Sequence, residues 1–314
     1  MSVVTTAGLA RRGARGRVSG DRVLELCTGL ATLIILAMLV LLLINVVKGG
    51  VGTLSWEFLT AVPRKGMTEG GIFPAIIGTA ALTLLMTEAA IPAGVATAVY
   101  LSEYAPPRST IARLVRVCIA NLAGIPSIVF GLFGLGFFVS AVGRGLDRAA
   151  FDGRPTYGQP CLLWAALTLA LLTLPVVVVS TEEALRAVPR EIREASLALG
   201  ATRFQTIVRV ILPEAASGIL TGGILAVSRG AGEVAPIMFT GAAYFLRDLP
   251  THLNDPFMNL GYHVYVLATQ SPDVDRTKPL LYGTVLVLLG LTFLLNLVAI
   301  GLRRRSRAGP RAHA

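Results

Sequence analysis

Charge is what this sequence has least of: Asp, Glu, Lys and Arg make up 15% of its 314 residues, against 54% hydrophobic residues and a mean hydropathy of +0.70. Soluble domains carry about 25% charged residues, so an ordinary soluble fold is excluded and a bilayer becomes the natural solvent. Lysine occurs three times, at Lys48, Lys65 and Lys278, never within G-x-x-x-x-G-K-[ST]. The chain therefore has no phosphate-cradling loop and cannot hydrolyse ATP by that route. Cys27, Cys118 and Cys161 are isolated, without C-x-x-C or paired spacing, which leaves them as small apolar filler. His252, His263 and His313 show no ligand spacing, so no metal site is expected. No nucleophile constellation or His/Asp/Glu cluster lies on the apolar stretches, which argues against a membrane enzyme.

Long apolar runs are abundant. A helix needs about 20 apolar residues to cross the hydrocarbon, and four charge-free stretches are long enough: Leu26 to Val47, Val117 to Gly143, Pro155 to Thr181 and Pro279 to Leu302. Two more are interrupted by charge, Gly70 to Ser102 by Glu88, and Ala215 to Leu246 by Arg229 and Glu233. Six transmembrane helices follow, in an all-α polytopic membrane protein. The first run comes after Arg11, Arg12, Arg15, Arg17 and Arg22, as a secretory signal would, but at 22 residues it exceeds the roughly 7–15 of a signal core. It is expected to stay as an anchor.

The formal net charge of +10 is spread over loops rather than gathered on one face, so a nucleic-acid partner is not expected. With both termini inside, inner segments hold 18 Lys and Arg and outer loops nine, the bias of the positive-inside rule. Arg303, Arg304 and Arg305 would then sit against anionic headgroups. The expected organisation is a basic, irregular cytoplasmic tail over 1–22, a transmembrane domain over 23–302 and a second basic cytoplasmic tail over 303–314.

The inner connection over 181–213 is too polar to enter the bilayer and reads as two short amphipathic helices. After Pro189, the residues Ile192, Ala195, Ser196 and Leu199 recur at helical spacing, and Gly200 supplies a residue free to take positive φ. Thr202 and Gln205 fit a capping box, and Phe204, Ile207, Val208 and Ile211 form a stripe ending at Pro213. Periodicity alone fits two roles equally: a pair lying on lipid, or a knob for a soluble partner.

The residues of this connection resemble the cytoplasmic loop of bacterial ABC importer permeases, E-A-A, three residues, G, nine residues, I-x-L-P. Here the pattern is Glu194-Ala195-Ser196, three residues, Gly200, nine residues, then Val210-Ile211-Leu212-Pro213, with Ser196 and Val210 departing from it. Further stretches, Ala75–Thr79, Gly94–Tyr104, Gly124–Gly131 and Arg229–Pro236, resemble the phosphate permeases of that family, of the PstA type rather than its PstC-type sibling. The resemblance implies the ABC importer permease architecture in the inner membrane. It makes Glu194, Ala195, Ser196, Gly200, Leu212 and Pro213 the loop that couples to an ATPase. It also implies the partners: a sibling permease of PstC type, a pair of PstB-type ATPase subunits holding ATP and Mg, and a PstS-type external binding protein. No cofactor is expected on this chain. The longer outer loop, Leu246 to Lys278, is expected to meet the binding protein.

Arg229 and Glu233 are four apart on the expected fifth span and can pair. Intramembrane charge costs at least about 2.5 kcal/mol, so the pair is mutually neutralised structure, a gate, or part of a polar pathway. A guanidinium fork matches phosphate oxygens, and a carboxylate can accept the O–H that phosphate keeps and sulfate lacks. Glu88, mid-span, is expected to pair with Arg229. Gly218, Gly222, Ala226 and Gly230 recur every four residues, a seam for close helix approach. Pro92, Pro126, Pro175 and Pro236 are expected to interrupt helices beside protein or a wet path. Phosphonate, sulfate or molybdate remain alternative cargoes, and a proton-coupled secondary transporter using Glu88 and Glu233 remains a second mechanism.

Overall fold

The computed structural model describes residues 6–64, 69–106, 108–271 and 273–308. Lys65 and the ends of the two expected tails, 1–5 and 309–314, lie outside them. Chain order begins with α1 (Thr6–Gly50), a short 3-10 turn and α2 (Trp56–Thr60). A two-residue hairpin, β1 (Pro63–Arg64) with β2 (Glu69–Gly70), precedes α3 (Phe73–Val99), which ends in a π-turn over Tyr100–Tyr104. Then come α4 (Thr110–Gly124), α5 (Ser127–Gly134) continued by a π-segment over Leu135–Gly143, α6 (Arg144–Ala150) and α7 (Leu162–Arg186). The remainder is α8 (Arg190–Ala198), α9 (Arg203–Thr206), a π-turn over Ile207–Ile211, α10 (Leu212–Ala231), α11 (Ala235–Thr240), α12 (Leu260–Thr269) and α13 (Val274–Ala308).

Among the described residues six helical segments are long and apolar enough to cross a membrane: Asp21–Thr53, Phe73–Tyr104, Ser127–Ala150, Leu162–Arg186, Arg203–Ala231 and Val274–Gly301. Five boundaries differ from expectation for identifiable reasons. The segment expected to be an irregular tail through residue 22 is helical from Thr6, continuous with the first span, and α13 likewise runs on to Ala308 through an Arg-rich stretch, Arg being a strong helix former. The apolar run from Val117 is split at Ile125–Pro126, because the residue before proline is driven to extended backbone. Its first part belongs to amphipathic α4, which exposes Ile111, Leu114 and Val117. The fifth span starts ten residues before Pro213, and the π-turn before that proline lets the helix pass it without a break. Finally, α10 ends at Ala231, so the apolar stretch to Leu246 is a turn, α11 and a loop rather than continued span.

α7 is the axis of the fold. Two-thirds of its apolar window is buried, whereas the corresponding window of α1 has none buried and packs only at its end, on α13. α3 and α10 flank α7, and Leu82, Met86, Ala90, Ala165 and Leu169 fill the contact. The small-residue seam of α10 makes this possible: a Cβ at Gly222 would stand 2.8 Å from the Cβ of Ser180 on α7. Gly222→Leu is therefore expected to cost about 1–3 kcal/mol by overpacking, seen as a lower thermal midpoint of the purified chain. An unchanged midpoint would show that this seam is not closed. Pro92 and Pro175 sit inside continuous helices, not at breaks; Pro126 and Pro236 are at helix starts, where no N–H is needed.

The long connection after α11 folds inward. Phe257, Met258 and Leu260 are fully buried, and the Leu260 N–H donates to Thr79 Oγ1 at 2.8 Å. The carbonyls of Asp255 and Leu253 accept the N–H groups of Leu162 and Leu163, capping the start of α7 with backbone. On α12, His263 is buried with Nδ1 unpartnered, and burial pushes its pKa down to about 4. Its neutral form is thus built into the fold. Stability from this residue is complete above the ordinary pKa near 6.5 and falls as pH drops towards 4, by up to about 3 kcal/mol. The thermal midpoint is expected to fall across that window in wild type and much less in His263→Gln. Parallel curves for the two would refute the assignment.

Candidate functional site

The turn between the fourth and fifth spans is a capped helix-turn-helix. Pro189 leads into α8 with extended backbone. Gly200, at φ +85°, closes α8, with its N–H bonded to the Leu197 carbonyl and that of Ala201 to Ser196. Thr202 and Gln205 then form the reciprocal capping box that starts α9. Ser196 Oγ and Thr206 Oγ1, 3.0 Å apart, join the two arms.

The expected site residues divide between the two ends of this unit. Glu194, Ala195 and Gly200 are exposed at its tip, with Leu199 at 89% and Phe204 at 67% beside them. Ser196 faces the second arm, while Leu212 and Pro213 lie up the continuous helix, Leu212 packing against the bundle. The apolar stripe divides as well: Ile207 and Ile211 are buried, and Phe204 and Val208 face out.

What holds this unit to the membrane helices is a set of contacts between residues far apart in the chain. Arg193 of α8 lies 3.1 Å from the carboxylate of Glu103, which is 8% exposed, and donates to the Leu185 carbonyl. Arg203 of α9 donates to the Glu103 carbonyl, and its guanidinium stands over the Tyr104 ring, 5.4 Å from the centroid. Arg116 of α4 donates to the Leu101 carbonyl at 2.7 Å and pairs with Glu182, which also pairs with Arg186, each at 3.2 Å. No spacing rule links residues 90 positions apart; the only hint was that Glu103 ends an otherwise apolar span.

Within the bundle, Arg229 Nε lies 3.7 Å from Glu233 Oε1, with the side chains 39% and 21% exposed. Glu233 is not on the fifth span: the helix stops at Ala231, and Glu233 occupies the turn before α11. The expected pairing of Glu88 with Arg229 is not formed; Glu88 is exposed and makes no ion pair among the described residues. Gly230 abuts Met86 and Gly223 abuts Ile91, which places Arg229 and Glu88 at the same level of the bundle. One turn of helix beyond Glu88, Pro92 has no N–H to donate, so the regular helical bond to the Glu88 carbonyl is missing. Ser228 donates to Asn296 Oδ1 at 2.7 Å, a polar tie between α10 and α13 beside Arg229.

Five apolar spans around a buried fourth, a capped and exposed turn unit, and a charged level at Glu88 and Arg229 within the bundle define a polytopic membrane transport subunit. The chain belongs to the family of binding-protein-dependent transport system inner membrane components, which matches residues 90–309. It is 34% identical over 260 residues to the "Probable ABC transporter permease protein YqgI" of Bacillus subtilis, covering 79% of this chain and 83% of that protein. It is 34% identical over 249 residues to the phosphate transport system permease protein PstA of Haemophilus influenzae, covering 79% and 81%. A bacterial alginate ABC transporter, solved with its alginate-bound periplasmic protein, shares the fold at TM-score 0.66 and 16% identity over 92% of this chain and 96% of the matched one. The chain is accordingly a multi-pass inner-membrane transport component rather than an enzyme, working with an ATPase, a sibling permease and a binding protein.

Proposed function

We propose that this chain is the PstA-type permease of an importer that carries inorganic phosphate into the cell, driven by ATP hydrolysed on a separate subunit. The observation that carries this reading is the turn unit over 189–206: a rigid, doubly capped pair whose exposed tip presents Leu199, Phe204 and Glu194. Exposed apolar side chains on a capped, rigid unit suit insertion into a partner's groove, with charged residues at the rim. Glu194, Ala195 and Gly200 are the contact residues on this reading; Ser196, Leu212 and Pro213 shape the unit behind them. ATP and Mg then belong to the PstB-type subunits. The PstC-type sibling covers the exposed Glu88 and Arg229 faces, and the PstS-type binding protein docks at the opposite end, where the inward-folded 246–278 loop lies.

For the cargo, Arg229 supplies a planar fork of donors, and the Glu233 carboxylate beside it can accept a hydrogen bond from an O–H. Phosphate near neutral pH offers both an oxyanion and an O–H; sulfate offers only the first. Cells lacking their own phosphate importers and supplied with this chain and its partners should take up labelled phosphate, with excess sulfate or molybdate competing weakly. Competition by sulfate as strong as by unlabelled phosphate would move the cargo to another oxyanion.

A further inference from the structure

The end of the second span is gripped by arginines from three different helices. A helix terminus leaves its last four carbonyls without partners and carries partial negative charge, so it attracts cations. Here Arg116 of α4 takes the Leu101 carbonyl, Arg203 of α9 takes the Glu103 carbonyl and covers Tyr104, and Arg193 of α8 faces the Glu103 carboxylate. Two of the three arginines belong to the turn unit. Glu103 adds a buried negative charge to an end already negative, which favours Arg193 as its counter-ion and would leave it costly to bury alone.

The contact between Arg193 and Glu103 is charge against charge rather than an aligned hydrogen bond. Although 3.1 Å separates them, Glu103 Oε1 and Arg193 Nε have no hydrogen-bond partner, and Ser102 Oγ beside them has none either. The pair forms part of the wall of a cavity of about 220 Å³, so it has room to realign. Along α3 from this grip lies Glu88, and α3 packs on α10, which carries Arg229.

We propose that Glu103 and Arg193 are positioning residues for coupling: they lock the turn unit to the second span, so that displacement of the unit by the ATPase is transmitted along α3 to the level of Glu88 and Arg229. The proposal rests on the importer reading above. Without the lock, the unit still docks, because its tip is untouched, but its motion is spent at the surface. Hydrolysis then continues while import lags.

The test is the ratio of phosphate imported to ATP hydrolysed, in proteoliposomes holding purified complexes of equal subunit content. Glu103→Gln and Arg193→Gln should each lower that ratio severalfold with ATPase subunits still bound. The double variant should be no worse than either single. Arg193→Lys, which keeps the charge, should retain most of it. If Glu103→Gln does not assemble, Arg193→Gln against Arg193→Lys decides alone, since Arg193 is on a surface helix with its side chain 25% exposed. An unchanged ratio in the Gln variants, or import and hydrolysis falling in proportion, overturns the proposal. If instead wild type imports nothing with ATP, the importer reading fails first, a distinct result.

Discussion

Phe204→Asp is expected to abolish ATP-driven transport while leaving the permease folded. Phe204 is 67% exposed and stands at the tip of the turn unit with Leu199, which is 89% exposed, so a carboxylate there replaces no buried contact within the chain. The capping box is formed by Thr202 and Gln205 and survives the change. In a docked complex, by contrast, a large apolar side chain in a desolvated groove is the kind of residue that carries 2 kcal/mol or more, roughly a thirtyfold loss of affinity. A buried charge in that groove costs further. Co-purification of the ATPase with the variant should fall by at least that factor, with an unchanged thermal midpoint for the permease alone. Full retention of the ATPase would place the docking surface elsewhere. Leu199→Asp should behave alike, and the pair should not be additive, because both fill one contact.

Arg229→Ala has the second large effect. A charge-assisted hydrogen bond is worth about 1.5–3 kcal/mol, so losing the guanidinium from the path should slow phosphate import roughly ten- to hundredfold. The variant also leaves Glu233, 21% exposed, without its counter-ion, which makes the remaining charge repel an anion. Arg229→Lys keeps the charge but loses the fork and should fall between. ATPase subunits should remain bound throughout, since Arg229 is far along the fifth span from the turn unit, beyond the π-turn and most of α10. Import at wild-type rate in Arg229→Ala would reduce the pair to packing.

These two sites were legible in the sequence to different degrees, and the difference is physical. The turn unit is built from local rules: a glycine at φ +85°, a reciprocal capping box and a proline entry all act over fewer than four residues. Local rules can be read from spacing. Hydropathy likewise located six spans, because length and absence of charge are properties of a single segment. What could not be read was where a charge-free run stops being a span. Ile125–Pro126 turns the first part of one run into surface helix α4 without any change in hydropathy, and α10 ends at Ala231 although apolar residues continue past Glu233 to Leu246. The partnership of Glu103 with Arg193 and Arg203 was also invisible, since it depends on α3 and α8–α9 being brought together by α7. Periodicity placed Phe204 and Ile207 on one stripe; the π-turn that follows, together with packing on α3 and α7, sends one outward and buries the other.

The grip on the second span, the docking tip and the Arg229 level form one line of argument, that ATP hydrolysed outside this chain moves an anion through it. The most direct measurement is labelled phosphate uptake into proteoliposomes containing this chain, its sibling, the ATPase and the binding protein, with ATP inside or absent, and with or without an imposed proton gradient. Uptake that requires ATP and ignores the gradient is the predicted result. Uptake driven by the gradient without ATP would contradict the account and recast Glu88 and Glu233 as proton carriers.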